Sequence, residues 1–149
     1  VVTGGKSDRA ALRIEPTVIV DPPADDPVMS DEIFGPILPI ISVDSPDAAV
    51  AFVNARPKPL ALYIFTGSQS TAKDLVDRMP SGGAVINHVA VHCLVPQLPF
   101  GGVGASGMGA YHASGGASRC SVTDAPCSPN LRNLTSNSCT RRILIVRSG

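Results

Sequence analysis

No excess charge of either sign, no apolar run long enough to cross a membrane and no cysteine pair at metal-ligand spacing occur in this 149-residue sequence. Twelve Lys and Arg balance twelve Asp and Glu, so no overall field draws the chain to nucleic acid or to an anionic membrane surface. No stretch approaches the roughly 18 apolar residues of a membrane span. The opening VVTGGKSDRA lacks the charged-then-apolar order of a secretory signal, and the cytoplasm is the expected compartment. The four cysteines form neither C-x-x-C pairs nor a finger pattern, which argues against a zinc site. Asn133-Leu134-Thr135 matches a glycosylation acceptor, but without a secretory signal it is expected to stay idle.

A hydrophobic fraction of 44% over this length is enough for one domain with a real core and leaves little room for two. The neutral total hides an asymmetry. Residues 1–112 carry seven Lys and Arg against eleven Asp and Glu, whereas residues 113–149 carry five Arg against Asp124 alone. Past Tyr111 there is no aromatic residue, and Cys120, Cys127 and Cys139 lie there among Ser, Asn and Arg. Such a segment has little apolar surface to offset the entropy of ordering. Residues 113–149 are therefore expected to be an irregular tail, and residues 1–112 the folded part.

Apolar runs alternate with helical patterns along those residues. Pro16–Val20 reads as a strand closed by the Pro- and Asp-rich turn DPPADDP, and Pro36–Val43 reads as a second strand. A helix should follow, with Ser45 as cap, Pro46 at its first position and Asp47 at its positive end. Ala48, Val50, Ala51 and Phe52 would begin its packed face. Pro59–Gly67 is a third strand. A second helix starts at Ser68 or Ser70, places Leu75, Val76 and Met79 on one face, and ends at Pro80. Ala84 to about Val91 is a fourth strand. This alternation predicts an α/β fold with a mostly parallel sheet flanked by helices.

Three motifs carry candidate chemistry. Gly102, Gly104 and Gly107 spell G-x-G-x-x-G, but a dinucleotide cradle needs a strand immediately before it and a helix immediately after. Pro96 and Pro99 break the preceding segment, and MGAYHASGG is a poor helix. The favoured reading is that these glycines allow tight backbone contact around a pocket. His88, His92 and Cys93 could form a metal cluster. On a strand, however, His88 and His92 share a face while Cys93 points away, and no fourth ligand is in sight. The same geometry disfavours Cys93 as a nucleophile activated by His92. The third motif, Asp31-Glu32-Ile33-Phe34-Gly35-Pro36, sets a carboxylate and an aromatic ring two residues apart before a strand. It could offer hydroxyl acceptance and a flat contact to a ribose and its base. From chemistry alone, the plainer reading is a solvated acid beside a core phenylalanine.

Taken together, EPTVIVD, VMSDEIFGPILPI, RPKPLALYIFT, SGGAVINHVAVH and LPFGGVGASGMGAYH resemble, in order and spacing, the C-terminal third of the aldehyde dehydrogenase superfamily, most closely its class 3 and coniferyl-type branch. The resemblance covers about residues 4–112. It implies a partial aldehyde dehydrogenase catalytic domain and oxidation of a small-molecule aldehyde to a carboxylic acid with NAD or NADP. In that chemistry a Cys attacks the carbonyl, hydride passes to the nicotinamide and a Glu-activated water releases the acid.

Residue by residue, Glu32 matches the glutamate that accepts hydrogen bonds from the nicotinamide ribose, and Phe34 the phenylalanine beside the nicotinamide. Phe100 matches a residue on the substrate-tunnel wall, and Asn87 the asparagine ending the nearby strand. The glycines would then shape a loop beside the aldehyde entrance. The family's nucleophilic Cys, general base and nucleotide-binding sheet have no counterpart here, so no catalytic residue is assigned and the chain alone is expected to be inactive. The family's homodimeric or homotetrameric assembly is implied as well. The alternative is a non-catalytic assembly module that pairs with a full-length homologue. After His112 the sequence departs from the family pattern, as a shifted reading frame or a foreign terminus would make it do. Without further sheet partners, the strand at Pro36–Val43 would expose unpaired edges and invite aggregation.

Overall fold

The computed structural model describes residues 1–111 together with two short strands, Ser121–Val122 and Ile143–Ile145. The expectation of an irregular tail over residues 113–149 otherwise lies outside the described residues. Contacts divide the chain at Ser45, within the stretch that the sequence reads as one domain. One unit contains Val1–Ser45 and the strand Ile143–Ile145; the other begins at Pro46 and contains Ser121–Val122.

In the first unit, β1 (Ser7–Asp8) and β2 (Arg13–Ile14) pair antiparallel. β3 (Thr17–Val20) runs parallel to β4 (Ile37–Val43), with Thr17 opposite Ile37 and Val20 opposite Ile40. A proline in a central strand removes a ladder donor, yet Pro39 is buried in the middle of β4. Its placement explains the tolerance. The amides of Thr17 and Asp21 donate to the carbonyls of Pro36 and Ile40, so the even-numbered residues of β4 face β3 and Pro39 turns its nitrogen to the opposite edge. There β8 (Ile143–Ile145) pairs antiparallel only with Ile41–Val43. β4 thus has β3 along one edge and β8 over Ile41–Val43 alone on the other, so the open edge expected from the sequence is narrowed rather than removed among the described residues. Asp21 closes the top of β3: its carboxylate accepts from the Ser42 amide at 2.6 Å and the Ser42 hydroxyl at 3.1 Å. At the other end the buried Thr17 hydroxyl accepts from the Gly5 amide and donates to the Glu15 carbonyl.

The second unit is a strand-helix-strand crossover preceded by a helix. α2 (Pro46–Asn54) begins at the expected proline with Asp47 in its first turn. Its buried residues are Ala49 and Val50, while Ala51 is exposed, so the packed face is rotated from the predicted one. β5 (Ala61–Ile64) leads to α3 (Gln69–Arg78), where the Ser68 hydroxyl accepts the Thr71 amide at 3.2 Å as an N-cap. β6 (Gly83–Ile86) then pairs parallel to β5, and β7 (Ser121–Val122) pairs parallel to β6. Val50, Ile64, Ala72, Leu75 and Met79 form the core, with Val53, Leu62, Val76 and Ile86 packed on it. Outside it, Arg78 joins the two helices through Asp47 at 2.6 Å and Asp74 at 2.9 Å.

The fold is α/β, with parallel strands flanked by helices as expected. The pairing differs from a single continuous sheet, because β4 and β5 belong to different sheets. Among the described residues no helix is long and apolar enough to cross a membrane.

Candidate functional site

Glu32 and Phe34 lie in the first unit, in the turn between a short helix and β4. α1 (Pro27–Ser30) was not expected, although its signals are present. Asp26 caps it by accepting the Val28 amide at 2.9 Å, and Pro27 occupies its first turn. Met29 buries its side chain and ties the helix down. The Asp31 amide donates to the Pro27 carbonyl and ends the helix; the Thr17 amide donates to the Pro36 carbonyl at 2.7 Å and starts the pairing of β3 with β4. Between these anchors Ile33 is half-buried, while Asp31, Glu32 and Phe34 are exposed. Phe34 is 95% exposed, so it is not the core phenylalanine of the plainer reading. Glu32 is exposed, and its carboxylate has neither hydrogen bond nor ion pair among the described residues. A free carboxylate acceptor and a free aromatic face fit a ribose diol and a flat heterocycle.

Asn87 and Phe100 belong to the second unit. β6 stops at Ile86, well short of the predicted Val91, because Asn87 and Ala90 take left-handed backbone conformations with φ of 57° and 60°. Asparagine tolerates this region; alanine adopts it at a cost. Asn87 is also a clamp. Its Oδ1 accepts from the Thr66 amide at 2.9 Å and its Nδ2 donates to the Thr66 carbonyl at 3.0 Å. The carboxamide therefore extends the ladder between β5 and β6 by one side chain, and both of its polar ends are committed.

The chain then folds into the 3-10 turn Val91–Leu94, so His88, His92 and Cys93 do not share a strand as predicted. The exposed His88 places Nδ1 2.8 Å from the Val89 amide. The Cys93 thiol donates to the Ala90 carbonyl at 2.8 Å. His92 is buried, and neither ring nitrogen has a hydrogen-bond partner, so no Cys93–His92 pair exists. Among the described residues no group of three His, Cys, Asp or Glu could hold a metal ion. His92 instead packs its ring against Tyr63, with centroids 5.8 Å apart, and against Phe100 at 5.3 Å. Burial pushes its imidazole below the ordinary histidine value. Its contribution to stability is thus whole above the ordinary range and is lost as pH falls through it.

The glycine motif lies in a loop closed by Phe100 and Tyr111, whose amides donate to each other's carbonyls at 2.8 and 2.6 Å. Among the described residues a three-residue 3-10 turn, Gly104–Ser106, stands where a dinucleotide cradle requires the start of a helix. Gly102 serves close approach: a Cβ there would overlap the Ser106 carbonyl. Thr66, Tyr63 and His92 are the supporting residues that sequence reasoning left out of the site. Thr66 meets Asn87 and Tyr63 meets His92 across 21 or more positions of chain, a separation on which local patterns are silent.

Each of the two units is built on a parallel strand pair connected through a helix, which defines the chain as an α/β protein. A family model described as "Aldehyde dehydrogenase family" matches residues 1–124. The dimeric NADP-preferring aldehyde dehydrogenase of Rattus norvegicus is 50% identical over 112 residues, which is 75% of this chain and 25% of the rat protein. The substrate-bound AldH of Staphylococcus aureus superposes with a TM-score of 0.71 at 37% identity, covering 91% of this chain and 33% of that one. A Mycobacterium tuberculosis aldehyde dehydrogenase complexed with NAD+ superposes with a TM-score of 0.66 at 30% identity, covering 75% and 23%. This chain belongs to the aldehyde dehydrogenase family. It spans about a quarter of the length of the curated relatives it matches.

Proposed function

We propose that these residues form the ribose-contacting and aldehyde-contacting segments of a catalytic domain that oxidises an aldehyde to a carboxylic acid with NAD or NADP. The observation that carries this reading is the outward EIFGP turn. Leaving a phenylalanine 95% exposed forgoes the gain of burying its ring, about 2 kcal/mol, and the neighbouring Glu32 acceptor is uncommitted. In this reading the Glu32 carboxylate accepts hydrogen bonds from the ribose hydroxyls and orients the sugar. Phe34 lays its ring beside the nicotinamide and excludes water from that face. Phe100 offers an apolar wall to the aldehyde, while Asn87 holds the end of β6 in place through Thr66. The attacking thiolate is none of this chain's cysteines; the Cys93 thiol is engaged with the Ala90 carbonyl. When bound, the nicotinamide accepts the hydride released from the aldehyde carbon.

The test is a chimera in which residues 1–111 replace the matching segment of the S. aureus AldH, assayed by nicotinamide absorbance with an aldehyde. The chimera should turn over. Glu32→Gln should raise the KM for NAD or NADP about tenfold, the loss of one charge-assisted hydrogen bond, and leave the aldehyde KM near its starting value. A folded chimera without turnover, or an unchanged cofactor KM in Glu32→Gln, refutes the assignment.

A further inference from the structure

The proposed function leaves His92 unused, and its surroundings are unusual. The residue is 7% exposed, and both ring nitrogens lack a partner. Three segments converge on its ring: Tyr63 of β5 packs edge-on, Phe100 packs tilted, and a Cβ on Gly83 of β6 would lie 2.9 Å from Cδ2. Packing alone does not account for a histidine here. An apolar ring such as phenylalanine, slightly larger, would occupy the site without two unsatisfied polar atoms, whose burial is costly.

We propose that His92 is a positioning residue: its neutral ring seats Phe100 at the base of the glycine loop, where Phe100 meets the aldehyde, and its protonation unseats Phe100. The part concerning the aldehyde rests on the function proposed above; the seating of Phe100 does not. A charge on this imidazole would have no counter-charge. Of the residues packed on it, Tyr63 carries the one titratable group, Phe100 and Gly83 bring none, and no carboxylate or cation among the described residues pairs with it. The charged ring must therefore reach solvent or break its contacts. Phe100 is the contact that can yield, because it is held by a single bridge to Tyr111 rather than by a strand ladder.

Amide hydrogen exchange of the full 149-residue chain tests the seating directly. After correction for intrinsic rates, the Phe100 and Tyr111 amides should exchange about tenfold faster one unit below the ordinary histidine pKa of about 6.5 than one unit above it. His92→Phe should remove that acid response while keeping the protection. His92→Ala should exchange fast at both values. In the chimera, the aldehyde KM should rise in acid by a similar factor and stay flat in His92→Phe, with the cofactor KM unmoved in both. Equal protection at both pH values in the unsubstituted chain, or an acid response that survives His92→Phe, overturns the proposal. If the exchange results are as expected but the chimera is inactive, the seating of Phe100 stands and the dehydrogenase reading falls.

Discussion

Gly82→Ala should cost about 3 kcal/mol, the upper part of the range for overpacking a close-packed site. A Cβ on Gly82 would overlap the carbonyl oxygens of both Gly101 and Leu60 and lie 3.0 Å from the Gly102 Cα. All three neighbours are backbone, so no rotamer change relieves the overlap. Hydrogen bonds oppose movement on the Gly82 side. The Gly82 and Gly83 amides donate to the carbonyls of Pro59 and Leu60 at 3.0 Å, which starts the register of β5 with β6. Relief must come from displacing Gly101–Gly102, and with them Phe100, or from breaking the start of the ladder.

Chemical denaturation measures the cost, and amide exchange at Gly83–Ile86 and at Phe100 shows which side gave way. Gly67→Ala is the control: nothing lies within 4 Å of a Cβ there, and its effect should stay within about 0.5 kcal/mol. If Gly82→Ala is as mild as Gly67→Ala, the glycine loop does not pack on the start of β6.

Leu75→Ala should remove about 3 kcal/mol from the second unit, in the middle of the range for emptying a buried leucine site. Leu75 is 6% exposed and sits in the cluster formed by Val50 of α2, Ile64 of β5, and Ala72 and Met79 of α3 or its cap. Its neighbours are anchored from outside. Arg78 bridges Asp47 and Asp74, and the Asn54 side-chain Nδ2 donates to the Arg78 carbonyl at 3.0 Å. These exposed links give the helices little reason to close on the cavity, and a cost in the middle of the range is expected. Urea denaturation should show a lower midpoint with an unchanged slope, while Leu75→Met should lose less than about 1.5 kcal/mol. A loss under about 1 kcal/mol for Leu75→Ala would mean that the cluster is not a packed core.

The two substitutions reach the candidate site by different routes. Leu75 supports α3, which braces the strands whose ends Asn87 and Thr66 join. Gly82 controls the space into which the Phe100 loop folds. Neither residue touches a ligand in the proposed function, yet both set where Phe100 and Asn87 can be.

Local chemistry was legible wherever a residue acts on its own neighbours in the chain. Ser68 caps α3, Pro46 opens α2, and the apolar runs from Ile37 and Ala61 form strands, because capping, proline geometry and β-branching operate within a few residues. The family was legible too, since five linked motifs keep their order without any knowledge of contacts. Asp26 and Pro27 announced α1 in the same local language, and the density of turn residues around them obscured it.

Other features were decided only in three dimensions. That β4 pairs with β3 and β8 rather than joining β5 is a choice among short apolar strands, which pattern cannot rank. β6 stops at Ile86 because Asn87 turns left-handed and closes on Thr66, a partner 21 residues back. Phe34 and His92 reverse their usual places, the aromatic ring in solvent and the imidazole in the core. Side-chain polarity states what burial would cost. Only the assembled backbone decides which residue bears that cost.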